Sequence, residues 1–238
     1  MNVTRTIVVT GGATGIGRAT AERFRADGDE VVITGRREDV LAKTAADLGV
    51  RGVVCDATDP AQIGRLLDAL PDRIDVLVNN AGGNTDFGAP EGGLEQLKAN
   101  WLANLDANLL SAVLTTTALA PRLTTAVVHL GSIAGARGAG SYGASKAALA
   151  MWNVDAATEL GPRGITSNVV APGFTAETEF FQGRMTTERR QTLLEATMTK
   201  REGEVEDIAA TIHFLASPAA RHLTGQVLHV NGGALSTR

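Results

Sequence analysis

Short apolar runs alternate with amphipathic stretches along most of the chain. The runs are rich in Val and Ile and apolar nearly throughout, which is typical of parallel strands that are buried on both faces. They cover Thr6–Thr10, Glu30–Thr34, Gly52–Cys55, Val76–Asn79, Ala126–Leu130, Thr166–Val170 and Gln226–Val230. The stretches between them carry apolar residues three or four positions apart, as in helices that cover a sheet. The alternation predicts a single α/β domain over residues 1–238, a Rossmann-type doubly wound parallel sheet of about seven strands with helices on both faces.

One long segment breaks this alternation. Residues 174–203 are polar and Thr-rich, and they lie between a strand signal and a helix signal. A segment of this length without a clear element pattern is uncommon inside a domain unless it has a function. We therefore predict that it forms a partly helical lid over the substrate.

Composition limits the class of partner. The chain has 22 Lys+Arg against 26 Asp+Glu, and 4% of its residues are aromatic, so we expect no nucleic-acid partner. No apolar run is long enough for a membrane span, and the N-terminus shows no basic leader. The single cysteine, Cys55, excludes an intrachain disulfide, and no His/Asp/Glu cluster has metal-ligand spacing. These features predict a cytoplasmic protein with a small-molecule partner and no metal.

A glycine-rich turn lies where the first predicted strand meets the first predicted helix. Residues 10–17 read TGGATGIG, in the spacing G-x-x-x-G-x-G. Glycines at such a junction let the chain turn sharply and let backbone N–H groups approach a pyrophosphate at the start of a helix. A chance turn of this composition is the alternative, but the position at the first strand-to-helix junction favours a dinucleotide site.

The end of the second predicted strand bears on which dinucleotide binds. Many dinucleotide sites have an acidic residue there that accepts from the ribose 2′-hydroxyl. Here Arg36 and Arg37 follow the strand, and the first carboxylate is Glu38. A guanidinium binds a 2′-phosphate that a carboxylate would repel, so Arg36 favours NADP(H) over NAD(H). The alternative is a pair of solvated arginines at a helix start. Asp56, after the third strand, is placed to meet the adenine amino group.

Tyr142 and Lys146 are four residues apart on a predicted helix, and therefore share one face. The ordinary pKa of tyrosine is about 10, and a nearby ammonium would lower it toward neutrality, where the phenol is a better acid or base. Ser132 follows the fifth strand, at the edge where such sheets bind ligands. Its hydroxyl could hold a substrate carbonyl oxygen. A Tyr–Lys pair by itself is more often a surface helix pair, but the serine and the glycine string favour a catalytic group.

Together these motifs resemble those of the short-chain dehydrogenase/reductase family, and within it the 3-oxoacyl-carrier-protein reductase branch, over essentially the whole chain. The matching motifs occur in the family's order: TGGATGIG, NNAG at residues 79–82, Asn108 in NLLSAV, Ser132 in GSIAG, Tyr142 and Lys146 in YGASK, and APG at residues 171–173 followed by Thr175.

The resemblance implies roles for these residues. Tyr142 would be the general acid in reduction and the general base in oxidation, and Lys146 would hold the nicotinamide ribose and lower the tyrosine pKa. Ser132 would orient the carbonyl, and Asn108 would hold a water that relays protons to Lys146. The residues expected to bind the cofactor are Gly11, Thr14, Gly15, Ile16, Gly17, Arg36, Asp56, Asn80, Ala81, Gly82, Tyr142, Lys146, Pro172, Gly173 and Thr175.

The activity implied is reduction of a carbonyl to an alcohol with NADP(H), in a homotetramer. Two alternatives stay open: an NAD-dependent alcohol dehydrogenase, and a non-catalytic regulator that senses dinucleotides on the same fold. Ser132 and Tyr142 are ten positions apart, closer than in most family members, so the substrate class does not carry over.

Overall fold

The computed structural model describes residues 4–87, 92–176, 178–181 and 183–236. Within these ranges seven parallel strands form one sheet in the order β3-β2-β1-β4-β5-β6-β7. The strands are β1 Thr6–Thr10, β2 Glu30–Gly35, β3 Arg51–Val54, β4 Ile74–Asn79, β5 Leu123–Leu130, β6 Thr166–Pro172 and β7 Val227–Val230. All seven predicted strands are confirmed. The main difference is that β4 and β5 begin earlier, because Ile74 pairs with Leu123 ahead of an irregularity in the ladder.

Helices connect the strands. They are α1 Gly15–Ala26, α2 Glu38–Leu48, α3 Pro60–Ala69, α4 Leu94–Leu105, α5 Ser111–Leu119, α6 Ala134–Arg137, α7 Gly140–Leu160, α8 Thr187–Ala196 and α9 Val205–Leu215. A π-helical segment, Asp106–Leu110, joins α4 to α5. Single 3-10 turns cover Ala120–Arg122, Gly161–Arg163, Glu179–Phe181 and Pro218–Ala220. No helix in the described ranges is long and apolar enough to cross a bilayer.

The helices lie on both faces of the sheet, as the alternation predicts. One apolar cluster packs Phe24 of α1, Leu41 of α2 and Ile212 of α9 against one face. The other packs Leu66 of α3 and Leu119 of α5 against the opposite face. Each strand of the sheet centre therefore buries both sets of side chains, which explains its continuous apolar sequence.

The strand order reverses at β1, which pairs with both β2 and β4. In open parallel sheets the crevice at such a switch point, outside the carboxyl ends of the strands, is where ligands bind. Thr10 ends β1 directly beside Asn79, which ends β4. The glycine string and the NNAG motif therefore meet at this edge.

Residues 174–203 cross the same edge. The segment contains α8 and the 3-10 turn Glu179–Phe181, and a β-bridge between Thr175 and Gly203 closes its base. The expected partly helical structure is present in the described part of the segment. Its movement as a lid stays a prediction.

Candidate active site

A cleft of about 1270 Å³ opens at the carboxyl ends of the strands. Fourteen of the predicted site residues line it: Gly11, Thr14, Gly15, Ile16, Arg36, Asp56, Asn80, Ala81, Gly82, Ser132, Tyr142, Pro172, Gly173 and Thr175. Three others, Gly17, Asn108 and Lys146, are not in its wall. They lie one layer behind it, in contact with backbone that forms the wall.

The glycine turn is fixed to the end of β4 by hydrogen bonds. The Thr10 hydroxyl accepts from the backbone N–H of Asn80 at 3.1 Å and of Ala81 at 3.0 Å. The Asn80 side-chain amide donates to the Gly11 carbonyl at 2.8 Å. A Cβ at residue 17 would overlap that same carbonyl oxygen, so glycine is required there for the helix to approach the turn. The two motifs thus form one rigid floor for the cleft.

The N-terminus of α1 is open to an anion. Thr14, the residue before the helix, makes no side-chain cap, and the first turn has no acidic residue. The start of α3 differs, because Asp59 caps it by accepting from Ala61 N and Gln62 N. Uncapped N–H groups and the positive end of the helix dipole suit a phosphate group. The residues present therefore fit the diphosphate of a dinucleotide.

Charged side chains surround the other end of this floor. The Arg36 guanidinium lies 3.9 Å from the Asp56 carboxylate, and the Arg36 side chain is 76% exposed. The second carboxylate oxygen of Asp56 accepts from the backbone and hydroxyl of Thr58. Arg37 forms a 2.6 Å ion pair with Glu179, which lies in the segment across the cleft. Sequence analysis did not find this ion pair, because the two residues are far apart in the chain.

Tyr142 lies in the first turn of α7 and is nearly buried, with 7% exposure. Burial raises the pKa of its phenol to about 12, and a hydrogen bond with Ser132 acts in the opposite direction. The Ser132 hydroxyl also accepts from Ala134 N at 3.1 Å, which fixes its position. The phenol is therefore protonated at neutral pH and can donate that proton to an oxygen beside Ser132.

Lys146 is buried one turn farther along α7. Its ammonium donates to the Leu130 carbonyl at 2.7 Å and lies 5.9 Å from the centre of the Tyr142 ring. Burial lowers the pKa of Lys146 to about 7. In the fold without a bound cofactor, burial is the larger influence on the pKa of Tyr142, and Lys146 is not among its causes. The expectation that Lys146 lowers the pKa of Tyr142 stays a prediction for the protein with its cofactor bound.

Asn108 lies in the π-helical segment between α4 and α5, a distortion that is frequent at functional sites. Its side-chain amide donates to the Gly83 carbonyl at 2.8 Å, and its oxygen accepts from Gly83 N at 3.1 Å. A Cβ at Gly82 would approach both the Asn108 oxygen and the Lys146 amine. Asn108 therefore holds the loop after NNAG beside Lys146. Its predicted role in holding a water stays a prediction.

The end of β6 forms another side of the cleft. Gly173 N donates to the Val230 carbonyl of β7 at 3.0 Å, and the Pro172 carbonyl accepts from Ile133 N at 3.0 Å. Thr175 is buried and forms the bridge to Gly203. These contacts bring the motif after β6 to the same cleft as Ser132.

Asp86 anchors the start of α7, and sequence analysis missed it. One of its carboxylate oxygens accepts from the Ser141 hydroxyl at 2.6 Å and the Asn104 amide at 2.9 Å. The other accepts from Tyr142 N at 3.4 Å. Ala139, which precedes the helix, supplies no cap, so Asp86 takes this role from a distant loop. No local pattern connects these residues.

Sequence analysis also missed a group of aromatic side chains in the cleft. The rings of Phe87, Phe174, Phe180 and Phe181 contact one another, and Phe180 lies 5.3 Å from the Tyr142 ring, centre to centre. The adjacent pair Phe180–Phe181 in a polar, Thr-rich segment was the signal that could have revealed it.

Comparison with known proteins gives consistent matches over nearly the whole chain. The family model described as enoyl-(acyl carrier protein) reductase matches residues 11–234. A Mycobacterium tuberculosis protein named as an oxidoreductase is 37% identical over 232 residues, which cover 97% of this chain and 98% of the relative. The 3-oxoacyl-[acyl-carrier-protein] reductase of Escherichia coli is 35% identical over 239 residues, 95% of each chain.

A solved structure agrees with these matches. The structure of a short-chain type dehydrogenase/reductase from Mycobacterium ulcerans superposes with a TM-score of 0.88 at 30% identity, covering 97% of this chain and 89% of the other. The fold, the order of the motifs and these similarities lead to one conclusion. The chain belongs to the short-chain dehydrogenase/reductase family, and it is an oxidoreductase.

Proposed function

We propose that the protein is an NADP(H)-dependent carbonyl reductase that works in the cytoplasm on a small-molecule substrate. The observation that carries this proposal is the nearly buried phenol of Tyr142, protonated at neutral pH and lying in the same cleft as Ser132. It lies in the same cleft as the uncapped N-terminus of α1. The similarity to a 3-oxoacyl-[acyl-carrier-protein] reductase supports the reductive direction.

In this mechanism the chain binds the cofactor, orients the substrate carbonyl and supplies a proton. The turn at residues 10–17 and the N-terminus of α1 would hold the diphosphate, with Asn80, Ala81 and Gly82 as the floor of the site. Asp56 would bind the adenine, and Pro172, Gly173 and Thr175 would bind the nicotinamide. The reduced nicotinamide supplies a hydride when it is bound. Ser132 orients the carbonyl oxygen, and Tyr142 protonates it.

Lys146 has two tasks in this proposal. It holds the nicotinamide ribose, and its charge stabilises the phenolate that forms when Tyr142 gives up its proton. The charge must be kept for the second task, and negative charge entering the cleft raises the pKa of the amine. Asn108 holds the water through which the amine is reprotonated.

Two alternatives compete with this function. An NAD-dependent alcohol dehydrogenase is disfavoured because Arg36, not a carboxylate, follows β2 at the cleft. A regulator that only senses dinucleotides has no need for a buried proton donor, so the arrangement of Ser132, Tyr142 and Lys146 disfavours it.

An assay of turnover distinguishes the three. Purified protein is mixed with NADPH, and absorbance at the reduced nicotinamide band is followed with a panel of ketones and 3-oxoacyl thioesters. We expect at least one ketone or thioester to be reduced. Tight cofactor binding without turnover of any carbonyl or alcohol would favour the regulator, and oxidation of alcohols with NAD alone would favour the dehydrogenase.

Arg36→Ala is expected to lower the affinity for NADPH by about tenfold and to leave the affinity for NADH almost unchanged. A charge-assisted contact contributes about 1.5–3 kcal/mol, and the low end applies because Arg36 is 76% exposed and thus screened. Fluorescence titration of both cofactors measures the change. Arg23→Ala, which removes another exposed arginine outside the cleft lining, is the control. Tighter binding of NADH than NADPH by the unmodified protein would contradict the NADP(H) assignment.

A homotetramer is expected in solution. Apolar side chains are exposed along α4 and α7, among them Leu94 at 79% and Met151 at 72%, with Trp101 and Val154 on the same two helices. Exposed apolar patches of this kind mark association surfaces. Light scattering at micromolar concentration measures the mass, and a clean monomer would contradict the prediction.

A further inference from the structure

The distribution of phenylalanine in this chain is uneven. The sequence has six phenylalanines, and four of them, Phe87, Phe174, Phe180 and Phe181, line one cleft. They come from two separate loops. Because aromatic residues are only 4% of the chain, their concentration beside one functional group needs an explanation beyond general core packing.

The rings form a continuous wall that reaches Tyr142. Phe180 and Phe181 are 5.0 Å apart and nearly perpendicular, and the rings of Phe87 and Phe180 form an edge-to-face pair 5.7 Å apart. Phe180 lies 5.3 Å from the Tyr142 ring, and all four phenylalanines remain partly exposed to the cleft. Edge-to-face pairs at such distances are favourable. A planar group that enters beside the phenol can therefore take part in the same packing.

Other lining residues leave room for a bulky group. The connection between Ser132 and Tyr142 is short and contributes Gly138 and Ala139 to the cleft. Gly138 is exposed, and a Cβ added there would have no heavy atom within 4 Å, so the chain does not close the cleft at that position. The lining thus includes large aromatic rings in one part and very small side chains in another.

Charged groups of this end of the cleft stay near solvent. Asp106, Arg137 and Arg189 are part of the lining, and all three are exposed. The Arg189 guanidinium lies 5.8 Å from the centre of the Phe181 ring, over its face. Glu179, an acidic lining residue of the crossing segment, is paired with Arg37. Beside Ser132 and the buried amine of Lys146, the Tyr142 ring therefore contacts the apolar ring of Phe180.

From this wall we infer that the substrates are neutral ketones or aldehydes that carry an aromatic ring next to the carbonyl. The inference rests on the proposed function, because it needs Tyr142 to protonate a carbonyl oxygen. The ring packs against Phe180, Phe181 and Phe87, while the carbonyl oxygen meets Ser132 and Tyr142. A small aliphatic ketone makes the second set of contacts without the first.

A matched pair of substrates tests this inference. Initial rates with saturating NADPH are measured for propiophenone, butanone and an acetoacetyl thioester of N-acetylcysteamine. We expect kcat/KM for propiophenone to exceed that for butanone by at least tenfold. Phe180→Ala is expected to lower kcat/KM for propiophenone by about tenfold and to change that for butanone less than twofold.

Two further variants separate ring packing from general effects. Phe180→Leu keeps apolar bulk and loses the ring, and it should lower kcat/KM for propiophenone by about two- to tenfold. Phe214→Leu replaces an exposed phenylalanine outside the cleft lining, and it should leave kcat/KM for both propiophenone and butanone unchanged. Thermal unfolding of each variant shows whether the fold is kept.

The outcomes distinguish this inference from the proposed function. Three results would overturn the aromatic substrate class and leave the proposed carbonyl-reductase function intact. They are equal kcat/KM for propiophenone and butanone, a higher kcat/KM for the thioester than for both, and a kcat/KM for propiophenone that Phe180→Ala does not change. If no carbonyl is reduced, the proposed function is wrong. Calorimetric titration of 1-phenylpropanol into the cofactor-loaded protein then tests whether the phenylalanine wall binds an aromatic ring. If 1-phenylpropanol does not bind, or binds equally well to Phe180→Ala, the inference about aromatic substrates is wrong too.

Discussion

Replacing Tyr142 with phenylalanine is expected to lower kcat by about 10²–10⁴, because positioned proton transfer contributes that much to reactions of this kind. The substitution removes one oxygen from a side chain that is 7% exposed and keeps the ring packed against Phe180. The fold and the affinity for the cofactor should therefore be kept. Stopped-flow or steady-state rates on the best ketone, with thermal unfolding and cofactor titration on the same samples, measure the three quantities.

The pH dependence of the phenol can be measured directly. The sequence has a single tyrosine, so the ultraviolet absorbance of phenolate reports Tyr142 alone. With the pKa raised to about 12, the group stays protonated through neutral pH and ionises only in strong alkali. Reduction needs the protonated form, so the phenol itself should not limit the rate near pH 7.

Activity of Tyr142→Phe within a few-fold of the unmodified protein would rule out this residue as the acid.

The parts of this site that sequence could predict are those that the sheet topology brings together. Parallel strands end at one edge, so motifs that follow β1, β4, β5 and β6 must converge there, and they do. The pairing of Thr10 with Asn79 agrees with the usual strand order of a Rossmann-type sheet, in which the first and fourth strands are neighbours. The convergence of residues at the strand ends could therefore be predicted, while their roles in binding and catalysis stay predictions.

Residues outside this framework could not be predicted because their contacts depend on loops without periodicity. Asp86 reaches Ser141 across 55 positions, and Arg37 reaches Glu179 across 142. Neither pair has a spacing that a helix or a strand would impose. The four phenylalanines converge for the same reason: they lie in the segments that follow β4 and β6, and those two segments line the same cleft.

The protonation of Lys146 was also beyond sequence analysis. Spacing places the amine beside Tyr142, but its pKa depends on how much water remains around it. In the fold it is buried with a backbone carbonyl as its hydrogen-bond acceptor, and burial lowers the pKa to about 7. An amine with this pKa changes its charge within the working pH range, which leads to the second large effect.

Lys146→Met is expected to lower kcat by about a hundredfold. A charge 5.9 Å from the tyrosine ring contributes about 3 kcal/mol to a developing phenolate at an effective dielectric constant of about 20, which corresponds to that factor. The fold should be kept, because methionine fills similar space and a buried ammonium is costly to desolvate. Thermal unfolding at pH 6 and pH 8 checks this point.

Lys146→Met should also lower the affinity for the cofactor and remove the pH dependence of cofactor binding. The amine of the free protein is charged below pH 7 and loses its charge as pH rises through that value. In the proposed complex the negative charge of the cofactor would raise the pKa of the amine, so binding would take up a proton in the window above pH 7, and affinity would fall there by up to tenfold per pH unit. Fluorescence titration with NADPH from pH 6.5 to 9 measures this slope in both proteins. A slope that persists in Lys146→Met would show that another group takes up the proton, whereas a flat profile in the unmodified protein would mean that Lys146 keeps its charge without the cofactor.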